Sequence, residues 1–201
     1  INFCTNIRRM KLMDSLLERN SARGLIEPFP HSDEMEKIYQ AALRAPDHAK
    51  LKPARFIQIT GQGLNKLSSV FYDFAKNELM IKDESVLQKY KDAPFRAPMI
   101  IILVTKHQEH PKVPLIEQKL STAASAQNIL LALESYGYAG IWRTGKFSFN
   151  NKLLKYLNLD DNNTILGYLY VGTRDGDKKK ISNYSVCLLY TSPSPRDFTE
   201  S

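Results

Sequence analysis

Three short stretches of the chain hold residues that could do chemistry. Arg19-Asn20-Ser21-Ala22-Arg23-Gly24 puts two guanidiniums and a hydroxyl in one turn closed by glycine. Guanidinium forks pair with phosphate oxygens through charge-assisted bonds, and a hydroxyl adds a further donor. Arg44-Ala45-Pro46-Asp47-His48 sets a cation and an imidazole on either side of a proline, and Trp142-Arg143-Thr144-Gly145 sets a cation and a hydroxyl beside an indole. Each stretch also has a plainer reading. Arginines at a helix end complement its dipole, Trp142 can be plain core, and His48 can be a loop histidine satisfied by backbone. Taken one at a time, the readings stay open. Three such turns in one chain point together to a bound anion that carries a planar ring.

Other chemistries lack their signatures. No G-x-G-x-x-G follows a strand and no P-loop is present, which argues against a dinucleotide-binding Rossmann domain. There is no G-x-S-x-G elbow and no Cys–His pair within the body of the chain, so a hydrolytic triad is unsupported and no catalytic side chain stands out. Cys4 and Cys187 lie near the ends without metal-ligand spacing. His107, Glu109 and His110 share a proline-containing loop and read as solvated, so no metal site is expected. The net charge of +7 raises the question of nucleic acid. The cations are scattered, however, and their one run, Lys178 to Lys180, sits beside Asp175 and Asp177. A dispersed excess attracts small anions such as phosphates or NADPH, and a nucleic-acid partner is not expected. The longest apolar run, Met99 to Val104, is far too short to span a bilayer, and no leader is visible. A cytoplasmic protein without a membrane partner is the expectation.

The positioning elements follow from periodicity. Glu117 to Tyr136 has no Gly or Pro and would form a helix about 30 Å long at ~1.5 Å per residue, stopped by Gly137. Small residues on several sides (Ser121, Ala123, Ala124, Ser125, Ala126) suit a central helix with close neighbours. Further helices are expected over 11–19, over 35–44 with Ser32 as N-cap, over 64–80 and over 149–157. Strands are expected over 55–60, over 99–105 as one buried on both faces, through Ile141-Trp142, and over 165–171. Interleaved helices and strands give an α+β or layered α/β class. The opening INFCTNIRRM does not read as part of a fold, and CLLYTSPSPRD near the end looks like a translated sequencing-adapter fragment. The expectation is one domain over 10–185, with 1–9 and 186–201 non-native and the natural C-terminus missing.

At this point a resemblance becomes visible. R-N-S-A-R at Arg19 to Arg23 is similar to the R-x-S-x-R phosphate motif of the flavin-dependent nitroreductase family. R-A-P-D-H at Arg44 to His48 with K-L-K-P-A-R-F at Lys50 to Phe56, A-P-F-R-A-P-M-I-I at Ala93 to Ile101, and G-I-W-R-T-G at Gly140 to Gly145 match further motifs of its small single-domain, YdjA-type group. Four motifs in order, over about Leu12 to Gly172, are far more specific than any one.

The resemblance implies an α+β layered sandwich with a central mixed or antiparallel sheet and a long central helix, forming an intertwined homodimer. Two FMN molecules would sit at the dimer interface. The implied activity is NAD(P)H-dependent reduction of nitroaromatic, quinone or similar small-molecule electron acceptors by ping-pong hydride transfer. Another FMN-dependent reaction on the same fold, dehydrogenation or flavin breakdown, and a non-catalytic flavin-binding protein are the alternatives. Carried over, Arg19 and Ser21 would hold the FMN phosphate, with the main chain of Asn20. Arg23 would sit near the pyrimidine end, where a cation stabilises the reduced, anionic flavin and raises its potential. Arg44 and His48 would contact flavin or phosphate from the partner subunit, and Trp142, Arg143 and Thr144 would line the ring or phosphate. Ala132, Leu133, Glu134, Ser135, Tyr136 and Gly137 correspond to the nicotinamide side. Two departures stand out: the family's Pro-Trp is Pro53-Ala54 here, and the family's C-terminus, which can supply a basic flavin contact, is missing, leaving Lys178 to Lys180 as a solvated turn or a substitute.

Overall fold

The computed structural model describes residues 12–181. The ends expected to be non-native, 1–9 and 186–201, and the outer residues of the expected 10–185 domain lie outside those residues. Among the described residues the order is α1 (Leu12–Glu18), β1 (Leu25–Ile26), α2 (Ser32–Ala42), β2 (Ala54–Thr60), α3 (Gln62–Asn77), α4 (Glu84–Asp92), β3 (Met99–Lys106), α5 (Leu115–Ser135), β4 (Ala139–Arg143), α6 (Lys152–Tyr156) and β5 (Asn163–Arg174), with 3-10 turns at His48–Lys50 and Ala93–Arg96.

The apolar run at Met99 to Val104 explains the architecture. It forms β3, whose first seven residues are buried. Successive side chains of a strand point to opposite faces. Ile100, Ile102 and Val104 accordingly join a core with Leu67, Phe71, Phe74 and Leu154. Met99, Ile101 and Leu103 join a second core with Ile38, Ile129, Leu130 and Leu133. The sheet is therefore the middle of three layers, with α3, α4 and α6 on one face and α2 and α5 on the other. Every pairing is antiparallel: β1-β5-β3-β2 along the main path, with β4 also on β5. The α+β sandwich and its long central helix agree with the sequence, and of the two sheet types left open the antiparallel one is observed.

Local differences have physical reasons. His31, not Ser32, caps α2, and its backbone N–H donates to Glu34 Oε2 at 3.0 Å. Helix α4 was not foreseen; it is short, with only Leu87 buried, and starts at Asp83, whose side chain accepts from the Ser85 N–H at 2.8 Å. The small residues of α5 divide. Ser121, Ser125 and Ala126 are buried against the chain itself, whereas Ala123 and Ala124 are half-buried. On the same helix Ile116 and Leu120 are about 60% exposed (59% and 60%).

One irregularity sets up the site. The β3–β5 register shifts between Leu103, opposite Gly167, and Val104, opposite Ile165. Leu166 is thus the extra residue of a bulge, which frees a ladder carbonyl. Trp142 Nε1 donates to that Leu166 carbonyl at 3.3 Å. Gly167 adopts φ +142°, and a Cβ there would lie 2.7 Å from the Arg143 carbonyl, 2.9 Å from Cδ1 of the indole and closer still to its Nε1. Only glycine lets the ring lie down on β5.

Candidate functional site

The Arg19–Gly24 turn begins where α1 stops, with Arg19 N–H still donating to the Ser15 carbonyl at 3.1 Å. Ala22, 1% exposed, donates its N–H to the Gly140 carbonyl at 3.4 Å, which lays the turn along β4. Arg143 is three strand residues from Gly140, about 10 Å at ~3.3 Å per residue. Asn20 is tied on two sides: its Nδ2 donates to the Lys179 carbonyl at 3.0 Å, and its carbonyl accepts from Arg174 at 3.2 Å. Lys178 bridges Glu134 at 2.6 Å and Glu18 at 3.4 Å, so the segment after β5 clamps the ends of α1 and α5 together. The carboxylate of Glu134, on a side chain 9% exposed, faces this ammonium. Two of the three cationic turns, the C-terminal end of α5 and the lysine run therefore meet at one corner.

Several polar groups at this corner have no partners of their own. Among the described residues the side chains of Arg19, Ser21 and Arg23 make no hydrogen bond or ion pair. Asn20 Oδ1 and Arg143 Nε are buried and also unpartnered. Buried polar atoms are normally satisfied, so each such orphan is a candidate contact for a ligand's polar atom.

The pleat splits the Trp142-Arg143-Thr144 triplet. Trp142 packs on the α2/α5 core. Arg143 turns to the other face, its guanidinium 5.5 Å from the centre of the Tyr170 ring. Beneath it lies a cavity of about 560 Å³ bounded by all three residues of the triplet together with Arg96, Lys89 and Tyr90. Rings wall it further: Phe71 stacks on Phe147 at 4.4 Å, and Tyr90 meets Phe147 edge-on at 4.9 Å. Burial raises the pKa of the Tyr170 phenol, and the charges of Arg96 and Arg143 oppose the shift.

The Ala132–Gly137 stretch is mostly structural in its side chains. Leu133 is fully buried in the α2/α5 core, and Ser135 Oγ donates to the Ala132 carbonyl at 2.8 Å. Tyr136 closes the helix by donating its N–H to the Leu133 carbonyl at 3.1 Å, and Gly137, at φ 84°, donates to the Glu134 carbonyl at 3.0 Å.

Arg44 and His48 lie elsewhere. Both are exposed, and His48 Nδ1 meets Glu117 Oε2 at 2.5 Å, at the opposite end of α5 from Glu134. Glu117 and Glu134 are about 25 Å apart along the axis at ~1.5 Å per residue. Ala54 belongs to this far end too, opening β2 opposite Thr105. A single chain does not bring these residues to the Arg19–Arg143 corner.

Sequence reasoning gave no role to Arg96, Arg174 or the Lys178–Glu134 pair. Arg96 sat inside a quoted motif without a partner, and the pairing of Lys178 with Glu134 spans a sequence separation that no local pattern reports. His107, in the loop read as solvated, is half-buried; its Nε2 lies 2.7 Å from Thr164 Oγ1, and burial lowers its pKa. Among the described residues, no three His, Cys, Asp or Glu side chains gather as metal ligands, and no helix is long and apolar enough to cross a membrane.

Known proteins share this fold. The sequence profile of the Nitroreductase family matches residues 16–173. The chain is 34% identical over 164 residues to "Putative NAD(P)H nitroreductase YdjA" of Escherichia coli K12, covering 82% of this chain and 88% of that one. It is 32% identical over 165 residues to a "Putative NAD(P)H nitroreductase" of Haemophilus influenzae, covering 82% and 89%. In three dimensions it is similar to a nitroreductase-like family protein of Bacillus cereus, with TM-score 0.77 and 19% identity over 92% of this chain and 96% of that one. It is also similar to NfnB of Sphigopyxis sp. strain HMH, described as an FMN and NADPH-dependent nitroreductase, with TM-score 0.71 and 15% identity over 92% and 100%. With a profile that runs from α1 to the end of β5 and relatives above 30% identity across the same span, the chain belongs to the nitroreductase family of oxidoreductase enzymes.

Proposed function

We propose that the chain is an FMN-dependent oxidoreductase that takes electrons from NAD(P)H and delivers them to nitroaromatic, quinone or similarly electron-poor acceptors. The observation that carries this reading is the Arg19–Arg23 turn: it is bonded to β4 through Ala22 and Gly140, and its guanidiniums and hydroxyl have no partner among the described residues. That donor set suits a phosphate, and the buried Asn20 Oδ1 and Arg143 Nε suit further polar atoms of the same ligand. The names of the relatives, NAD(P)H nitroreductase for YdjA and FMN and NADPH-dependent for NfnB, support the same cofactor pair.

In this reading Arg19 and Ser21 hold the phosphate with the main chain of Asn20. Arg23 supplies positive charge toward the pyrimidine end of the ring, which raises its potential. Trp142, Arg143 and Thr144 line the ring. When bound, FMN supplies reversible two-electron chemistry, with reduced nicotinamide as donor and the acceptor as sink. The chain's own task is to orient the reactants at roughly 3–3.5 Å and to exclude water, which needs no acid or base. Donor and acceptor take the same surface in turn, so the kinetics are ping-pong.

The working unit in this reading is a homodimer. Leu12, Met13, Leu16 and Leu17 of α1 and Ile116 and Leu120 of α5 are exposed in the single chain, which supports a second copy over them. An isologous contact that sets two α5 helices antiparallel brings the start of one to the end of the other. Arg44 and His48 then approach the partner's flavin rather than their own.

The test is direct. The purified protein should be yellow, or become so with FMN, and should bleach when NADPH is added without oxygen. A colourless protein that does not take up FMN overturns the proposal.

A further inference from the structure

The exposed turn that carries His48 is tied down at several points. Ala49, Lys50 and Lys52 sit at φ 56°, 55° and 49°. Residues with a side chain keep this left-handed backbone only where the surroundings impose it. Asp47 takes the Lys52 N–H on its carboxylate at 2.7 Å and the Lys50 N–H on its carbonyl at 3.2 Å, and Gln108 Nε2 donates to the Leu51 carbonyl at 2.5 Å. The backbone around His48 is therefore fixed, and the freedom left is that of its ring. Glu117 removes it, with Oε2 lying 2.5 Å from His48 Nδ1. The carboxylate itself stands on a rigid base. It belongs to the first turn of the 21-residue α5, where its N–H donates to the Pro114 carbonyl at 3.1 Å and a negative charge suits the helix dipole.

An ionised carboxylate only accepts hydrogen bonds, so Nδ1 is the donor of this pair. The bond at one ring nitrogen decides what the other can do. Nε2 makes no hydrogen bond among the described residues, and the side chain is 63% exposed, so Nε2 is the nitrogen presented outward. We propose that Glu117 is a positioning residue: it locks the His48 ring with Nδ1 protonated and turned toward α5, and so presents Nε2 ready-aimed to the flavin of the partner subunit. Glu117 itself touches neither flavin nor substrate. Setting a contact side chain in advance through a second hydrogen bond spares rotamer entropy that binding would otherwise consume. The orientation of the ring rests on the geometry alone; its use by the partner's flavin rests on the reading under Proposed function.

FMN titrations of the full chain, read by flavin fluorescence at a concentration that keeps it dimeric, test the role. His48→Ala should weaken binding by about 3- to 10-fold, the scale of one lost hydrogen-bonded contact. Glu117→Ala should weaken it by about 2- to 10-fold, the scale of one freed rotamer. Glu117→Gln, whose amide oxygen still accepts from Nδ1, should stay within about twofold of the parent. In the His48→Ala background, Glu117→Ala should add nothing, because its effect runs through the ring. A residue that merely braced the loop or the dimer contact would weaken binding equally in both backgrounds, and that result overturns the proposal. So does parental affinity in Glu117→Ala. The flavin-free protein gives an independent readout. In long-range proton–nitrogen correlation spectra under mildly alkaline conditions, the His48 ring should carry its proton on Nδ1, and in Glu117→Ala it should revert to the Nε2–H form of a free imidazole. The Nε2–H form in the parent overturns the proposal. A parent that takes up no FMN, or that holds it equally well in His48→Ala, refutes the flavin contact itself even where the spectra show the ring locked. That failure is distinct from a loose ring beside a working flavin contact.

Discussion

Replacing Gly167 by alanine tests the link between the β5 bulge and the site. The backbone sits at φ +142°, a region that L-residues rarely adopt; holding a non-glycine residue there costs about 1–3 kcal/mol. The new Cβ would also lie 2.7 Å from the Arg143 carbonyl, 2.9 Å from Trp142 Cδ1 and closer still to Trp142 Nε1, in a packed strand where neither can withdraw freely. Overpacking of this kind adds about 1–3 kcal/mol. The sum, roughly 2–6 kcal/mol, is a large share of a typical stability of about 5–15 kcal/mol. At the middle of that range the melting temperature should fall by roughly 8–16 °C for a domain of this size. Relief requires the indole to lift and give up its bond to the Leu166 carbonyl, so Trp142 emission should shift and flavin affinity should drop. Gly63→Ala is the matched control. Its Cβ would meet only the Ile59 side chain, at 2.9 Å, and it lies in α3, where alanine is preferred, so its stability should stay within about 1 kcal/mol of the parent. Thermal melts followed by circular dichroism and Trp142 fluorescence decide the matter. A Gly167→Ala protein that melts with the parent and shows unchanged emission refutes the account of the bulge.

Arg19→Ala should weaken FMN binding by about 10- to 100-fold, read by equilibrium dialysis, because one charge-assisted fork to phosphate is removed. Lys178→Met should destabilise by about 1–3 kcal/mol in urea titration, since it strands the nearly buried carboxylate of Glu134, and Glu134→Gln in the same background should recover most of that loss. Ile116→Asp with Leu120→Asp should give a monomer by light scattering that retains its secondary structure by circular dichroism but takes up little flavin. At alkaline pH, burial pushes the Tyr39 phenol from 10.0 to about 12, so the folded state holds a proton that the unfolded chain has released. The stabilisation is present below pH 10 and is lost as pH rises through 12; Tyr39→Phe should flatten that part of the pH–stability curve.

Much of this molecule could be read in advance where one residue pattern decides one environment. The run at Met99 to Val104 allowed only a strand buried on both faces, and it became β3 in the middle of three layers. Glu117 to Tyr136 lacked any residue able to break a helix, and α5 spans Leu115–Ser135. The unforeseen features depend on pairs distant in sequence or on single atoms. Helix α4 buries only Leu87, so its periodicity is faint. The bulge at Leu166 exists because β3 and β5 run out of register, which neither strand shows alone. At the site, Arg19, Ser21 and Arg143 could be picked out by type, but the face that each presents could not. The pleat of β4 decides that Arg143 looks toward Arg96 and Tyr170 while Trp142 looks toward α5.

That division of β4 bears on why the chain carries so many separated cations. A lone cluster of guanidiniums repels itself unless anions or carboxylates answer it. The fold keeps the groups apart until a ligand arrives: Arg19 and Arg23 sit on the turn beside β4, Arg143 and Arg96 at the cavity, and Arg44 at the far end of α5 beside the His48–Glu117 pair. Lys178, beside the Arg19 turn, is instead neutralised by Glu134 and Glu18. A lysine so engaged positions helices, and in the proposed reading the anion falls to the arginines. On the proposed dimer, phosphate binding and dimer formation should reinforce each other. Each phosphate would neutralise a corner that the partner's Arg44 must approach, so flavin should tighten the dimer and the dimer should tighten flavin by the same factor. Dilution of the loaded and flavin-free proteins, followed by light scattering, should give a lower dissociation constant with FMN; equal constants would separate the two events and place Arg44 outside the flavin's reach.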